Sequence, residues 1–262
     1  MSIRFDSVSF AYAGGMPVFR DLSCELVGGE CLLVVGHNGA GKSTLLKLLN
    51  GILRPQAGRV SIFGRDTART ATSELARDVC VTFQNPGDQI FASTVLEEAS
   101  FGPRALKHKE PDQGAREALA LCGLAESQAI HPYDLSQSAR KLLTVASAVA
   151  TGARILAFDE PSVSLSQPER RTLEAALGSL RSQGRTLVIV SHDVGLFLPL
   201  ADRILVLKSD EPPVMLTARD VASREHLLRQ AGVRLPYAER LERLLLQMGG
   251  GTTPTVQGPN KS

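Results

Sequence analysis

The stretch Gly36-His37-Asn38-Gly39-Ala40-Gly41-Lys42-Ser43 constrains this chain more than any other part of it. It fits the pattern G-x-x-x-x-G-K-[ST]. The apolar run CLLVV precedes it, and KSTLLKLLNGIL follows with helical spacing. Strand, glycine-rich loop and helix in that order form the context in which this pattern holds phosphates. Glycines let backbone N–H groups turn toward the β- and γ-phosphates, and the positive end of the helix adds to them. Lys42 is placed to neutralise phosphate charge and Ser43 to ligate Mg²⁺. A chance glycine turn would need neither the strand nor the helix.

Around this loop the chain has 262 residues, 43% hydrophobic and 21% charged, which suits one or two domains with a sizeable core. IRFDSVSFAY alternates with period two, and FRDLSCELVGGE follows the breaker GGMP. GRVSIFG, VCVTFQ, RILAFDE, TLVIVSHD and DRILVL are further strands, and QPERRTLEAALGSLRSQG is a helix. Interleaved strands and helices predict an α/β core. That core spans 1–84 and 151–210 and carries an antiparallel β subdomain at its N-terminal end. Residues 85–150 form a helical insertion. A helical extension is expected over 211–248, where Tyr237, Leu241, Leu244, Leu245 and Met248 share a face. Residues 249–262 have the composition of a disordered tail.

Net charge is +2, so no basic field points to nucleic acid. Residues 1–30 lack the pattern of a signal peptide, and the apolar runs are too short to span a bilayer. The expectation is a soluble chain that reaches a membrane only through another subunit. Cys24, Cys31, Cys80 and Cys122 form no C-x-x-C pair and read as reduced core residues. The five histidines are scattered, which predicts no metal cluster.

Four other stretches carry chemistry. ILAFDE ends a buried strand on Asp159 and Glu160, and carboxylates there are costly unless they meet cations. Asp159 is placed to reach Mg²⁺ and Glu160 to polarise an attacking water; a helix-capping acid pair is the alternative. His192 and Gln84 each end a strand and could approach the same phosphate, although a lone histidine or glutamine is more often structural. In DLSQSARK, Ser136 reads as a helix N-cap with Gln137 and Ser138 on the first turn. The third helical residue is Ala139, so no capping box is completed.

Together these motifs resemble the ATP-binding cassette (ABC) superfamily in order and spacing, over roughly residues 2–207. VSFAY, FQNPGDQIFASTVLEEASFGP, LLKLLNGIL and LLRQAGVRLPYAERL resemble one branch, the ATPase subunits of energy-coupling factor transporters and of cobalt and nickel importers. The resemblance implies a P-loop NTPase fold and ATP hydrolysis with Mg²⁺. It implies that Tyr12 stacks on adenine and that residues 36–44, through Thr44, wrap the phosphates. Ser43, Gln84 and Asp159 serve the metal; Glu160, His192 and Gln84 serve catalysis. Such ATPases work as head-to-tail dimers, in which one subunit's signature motif covers the other's ATP. The partner is a paralogous subunit or a second copy of the chain. Membrane subunits dock near residues 84–103, at the cytoplasmic face of the cell membrane, and separate membrane proteins choose the solute.

The chain departs from this family at two places. The usual signature LSGGQ is Leu135-Ser136-Gln137-Ser138-Ala139, and Ser166 stands where the loop after the acids normally has aspartate. The resemblance implies that both act in trans, on or beside the partner's nucleotide. Glycine lets backbone approach phosphate closely, and a Cβ prevents it. Losing one transition-state donor typically costs about 10²- to 10³-fold in rate. A tolerated variant with full activity is the alternative. The favoured function is the motor ATPase of an uptake transporter, working in a heterodimer with unequal ATP sites. A regulatory subunit that hydrolyses little comes next. A soluble cassette protein acting on DNA or ribosomes ranks last.

Overall fold

The computed structural model describes residues 2–208, 211–221 and 223–233. In chain order the strands and helices are β1 (Ile3–Ala11), β2 (Pro17–Leu26), β3 (Cys31–Val35), α1 (Lys42–Leu49), β4 (Ala57–Ile62), β5 (Arg65–Asp66), α2 (Thr72–Leu75) and β6 (Val79–Thr82). Next come α3 (Val95–Ala105), α4 (Pro111–Leu121), α5 (Gln137–Ala150), β7 (Ile155–Asp159) and α6 (Gln167–Ser182). The series ends with β8 (Thr186–Val190), α7 (Val194–Phe197), β9 (Arg203–Val206), β10 (Val214–Thr217) and α8 (Glu225–Gln230).

Two sheets form. The first is antiparallel, in the order β2-β1-β4-β5. The second runs β10-β9-β3-β8-β7-β6 and is parallel except for β10, which pairs antiparallel to β9. The central strands are buried on both faces, which explains their unbroken apolar runs. Side chains alternate between two cores. Leu33, Val35, Leu156, Phe158, Leu187 and Ile189 face the core shared with α3 to α6. Leu32, Val34, Ile155, Ala157, Val188 and Val190 face the core shared with α1 and the antiparallel sheet. The result is three layers, sheet, sheet and helices, with the parallel sheet in the middle.

Residues between β6 and β7 form the helical excursion, in which α3, α4 and α5 pack on one another. Its last helix, α5, leads back to β7. It thus serves as the crossover helix of a parallel strand pair, and its N-terminus lies at the strands' C-terminal edge. The opposite edge holds ion pairs. Asp78 takes Arg65 and Arg154 (2.5 Å), and Asp202 accepts from Cys31 N–H (2.8 Å) and Arg181 (2.5 Å). The four cysteines are unpaired; Cys24, Cys31 and Cys122 are buried, and Cys80 is partly so.

Several elements stop earlier than the sequence suggests. Helix α1 ends at Leu49, not at the Leu53 that closes its apolar run, because Gly51 takes a φ of 74°. Strands β6 and β8 end at Thr82 and Val190, so Gln84 and His192 stand two residues beyond their strands rather than at the strand ends. The expected 211–248 extension begins with β10 and α8. The shared face from Tyr237 to Met248 and the expected tail lie outside the described residues.

Candidate nucleotide site

Four neighbouring strands, β3, β8, β7 and β6, deliver their C-terminal ends to one place. The glycine loop follows β3, His192 follows β8, Asp159 ends β7 and Gln84 follows β6. Chain order differs from this spatial order, so the site exists only once the sheet has paired. The C-terminal edge of an open α/β sheet is where ligands bind.

The loop's glycines answer packing as well as phosphate. Gly36 has a φ of 154°, and a Cβ on it would stand 2.3 Å from the Leu207 carbonyl. Gly41 caps α1 in the left-handed region at φ 92°, with Val18 and Phe19 inside 3 Å of any Cβ. His37 Nδ1 lies 2.8 Å from Asn38 O. Asn38 and Gly39 are exposed, whereas Ala40 is buried. Lys42 is buried and donates to Gly36 O (2.7 Å) and His37 O (3.0 Å), which bends the loop around its ammonium. Burial lowers the Lys42 pKa, and Glu160 and Asp159 pull it back up.

Ser43 Oγ donates to Asp159 Oδ2 at 2.6 Å. These two oxygens meet at one point and suit a hard cation of the Mg²⁺ type. No cluster of three His, Cys, Asp or Glu ligands exists among the described residues. A cation here would complete its shell with phosphate oxygens and water, as Mg²⁺ commonly does. Gln84 is exposed and lines the same cavity of about 680 Å³ as Ser43, Asp159 and Gln137.

Glu160 follows β7 in the left-handed region at φ 49°, and its N–H donates to Val190 O (2.9 Å). The turn aims a buried carboxylate at the loop after β8. Ser191 Oγ and His192 N–H donate to Glu160 Oε2 at 3.3 and 3.4 Å, and Oε1 stands 3.2 Å from His192 Nε2. Burial raises the Glu160 pKa; His192 and Lys42 lower it, and Asp159 adds to the rise. A carboxylate raised in this way is a stronger base than an ordinary one, which suits it to accept a proton.

Tyr12 stands just past β1, half exposed, edge-on to Phe10 at 5.1 Å. Its hydroxyl lies 3.1 Å from Thr44 Oγ1, which brings the ring beside the start of α1.

Residues that the motifs do not single out brace the site. Lys141 of α5 is 2% exposed, and its Nζ donates to Gln84 O (2.7 Å), Asp159 O (3.1 Å) and Phe83 O (3.4 Å). One ammonium thus joins α5 to the ends of β6 and β7. Burial pushes its pKa down to about 8, against the pull of Asp159 and Glu160. Gln89 folds back on Phe83, accepting from its N–H and donating to its carbonyl. Buried Glu98 of α3 accepts from the N–H groups of Phe91 and Ala92. The sequence signals this bracing only by a lysine set against the apolar run LLTVASAVA, three residues after Ser138.

At the start of α5, Ser136 Oγ caps the helix by accepting from Ala139 N–H (3.1 Å). It also lies 2.9 Å from Ser138 Oγ. Ser138 Oγ donates in turn to Glu169 Oε1 of α6 at 2.5 Å. Ser166 N–H and Oγ both donate to Glu169 Oε2, at 2.7 and 2.6 Å. Ser138 and Ser166, one residue from each place that departs from the family pattern, therefore share one carboxylate.

Comparison with known proteins gives the family. Residues 19–163, more than half of the chain, match the family model described as ABC transporter. The chain is 38% identical over 235 residues to the cobalt import ATP-binding protein CbiO of Rhodobacter capsulatus, covering 88% of this chain and 84% of that one. It is 35% identical to the energy-coupling factor transporter ATP-binding protein EcfA of Methanothermobacter thermautotrophicus, covering 92% and 79%. In fold it is similar to cbiO1 of Clostridium perfringens, part of the transporter complex cbiONQ. The TM-score is 0.76 at 24% identity, over 92% of this chain and 98% of that one. A dimeric ATP-binding cassette, MJ0796, bound to ADP and Pi, gives a TM-score of 0.75 at 24% identity, over 82% and 98%. Through the family model and these relatives, the chain belongs to the ABC transporter ATPases, the ATP-hydrolysing subunits of transporters, of the CbiO and EcfA import type.

Proposed function

We propose that this chain is the motor subunit of an energy-coupling factor type uptake transporter for a metal ion or vitamin, acting at the cytoplasmic face of the cell membrane. The convergence of Lys42, Ser43, Asp159, Glu160 and His192 at one sheet edge carries the reading. Tyr12 stacks on adenine, and residues 36–44 hold the phosphates. Ser43, Asp159 and Gln84 hold Mg²⁺, which when bound offsets charge on the phosphate oxygens. Glu160 orients the attacking water and takes its proton, and His192 holds Glu160 in place.

No helix among the described residues is long and apolar enough to cross a membrane, so the transport path belongs to separate subunits. An exposed edge-to-face pair, Phe91 and Phe101 (4.7 Å), lies on the segment after Gln84 and supports docking of a membrane subunit there. Ser136, Gln137 and Ser138 face the nucleotide of a paralogous partner. Because this signature lacks its glycines, the two sites of the heterodimer are unequal. The partner's signature completes the active one, on this chain's own ATP. The test is ATP turnover by the chain alone and with its paralogue. Slow turnover alone and fast turnover together are expected; fast turnover by the isolated chain refutes the unequal sites.

A further inference from the structure

The Ser138–Glu169–Ser166 contact gives the unequal sites a physical cause that glycine loss alone does not. At a signature, a free hydroxyl and bare N–H groups would meet incoming phosphate. In the usual pattern that hydroxyl is the one at Ser136; here Ser138 gives its proton to Glu169 Oε1, so Ser136 Oγ, 2.9 Å away, donates to Ser138 and is drawn into the same chain of hydrogen bonds. The other carboxylate oxygen is fixed by both donors of Ser166. Two nearby arginines are engaged elsewhere: Arg170 pairs with Asp193, and Arg140 lies over the Tyr133 ring at 5.5 Å. Hydrogen bonds from Ser138 and Ser166 hold the Glu169 pKa below its ordinary value, so the group is ionised at neutral pH.

We propose that Glu169 is an electrostatic brake on the nucleotide site that this chain's signature completes. It takes the Ser138 hydroxyl and presents a carboxylate, one hydrogen bond away, to the partner's phosphates. The inference rests on the dimer arrangement proposed above. Two like charges brought within several ångströms at a partly desolvated interface repel enough to change a binding constant about tenfold or more. The same carboxylate ties the signature to the loop after β7, so both trans-acting segments of this chain move together.

A homodimer of the full chain contains only sites of this kind and is the material for the test. Glu169→Gln is expected to raise ATP-dependent dimerisation and turnover about tenfold over wild type. Binding of a fluorescent ATP analogue to the monomer stays unchanged. Glu169→Asp keeps the charge and stays slow. Glu169→Ala, which places no amide against Ser138, behaves as Gln does. Raising the salt concentration narrows the ratio between Gln variant and wild type, because salt screens exposed charge; a purely structural cap would show no such narrowing. Thermal melting confirms that each variant is folded.

A Gln-to-wild-type ratio of one or below, or a ratio indifferent to salt, overturns the brake. The wild-type rate itself tests the unequal sites. Slow wild type with a ratio of one leaves unequal sites standing and removes Glu169 as their cause. Fast wild type with a ratio of one removes both.

Discussion

Replacing Glu160 with Gln tests the candidate site through stability as well as rate. The carboxylate is 5% exposed, its two hydrogen bonds are long, and Oε1 accepts none, with only the His192 ring nitrogen 3.2 Å away. A buried charged acceptor left short of partners costs about 1–3 kcal/mol. Gln keeps the shape and removes the charge, so the variant gains roughly that amount. For a chain of this size each kcal/mol moves Tm by about 2–4 °C, so a rise of roughly 2–12 °C is expected. The sign with pH follows from the raised pKa. Below the ordinary carboxylate value of 4.5, Glu160 is protonated in both the folded and unfolded states, and the two proteins melt alike. As pH climbs through the raised value, wild type must charge a buried group and loses stability that the variant keeps. The Tm gap therefore opens between acid and neutral pH. Turnover in the paralogue assembly falls about 10²- to 10⁴-fold, and ATP then holds the dimer closed. Differential scanning fluorimetry across pH and phosphate release read these effects. A variant that melts lower than wild type at neutral pH, a gap that shrinks as pH rises, or unchanged turnover would refute the reasoning.

Two further substitutions separate binding from turnover. Tyr12→Ala should weaken ATP affinity about tenfold, the loss of one stacking platform. Tyr12→Phe, which loses only the contact with Thr44, should weaken it far less; calorimetric titration measures both. Lys141→Gln leaves three carbonyls of the β6 and β7 ends sharing one amide. Steady-state kinetics should show kcat falling about tenfold with KM for ATP nearly unchanged, alongside a loss of about 1–3 kcal/mol in stability.

Chemistry that is local in sequence was legible, and chemistry made by folding was not. Strand, glycine loop and helix are contiguous, so residues 36–44 announce themselves. Asp159 and Glu160 stand out because acids at the end of an apolar run are conspicuous. Lys141 is different. Its partners lie 18 to 58 residues away, and only the return of α5 beneath β6 and β7 brings them together. Glu169 likewise reads as one acid among many on an amphipathic helix until α6 lies against Ser138, 31 residues earlier. Strands β5 and β10 escaped notice because they are short edge strands, with no second buried face to enforce an apolar run. The early ends of β6 and β8 have a related cause. Gln84 and His192 belong to the loops that rise from the sheet toward the site, and the apolar pattern does not mark where pairing stops.

The parallel sheet also has a polarity that sorts damage. Its C-terminal edge carries loops with exposed polar groups and a side-chain hydrogen bond, Ser43 to Asp159, between opposite halves of the chain. Its N-terminal edge carries Asp78 with Arg65 and Arg154, and Asp202 with Cys31 and Arg181. Barely five positions along one strand separate the end that keeps the protein assembled from the end that carries the candidate nucleotide site. Inherited change can therefore erode one ability without the other. A copy of such a chain can lose turnover yet persist as a well-folded subunit, and that is the raw material from which a pair with one working and one silent site can arise.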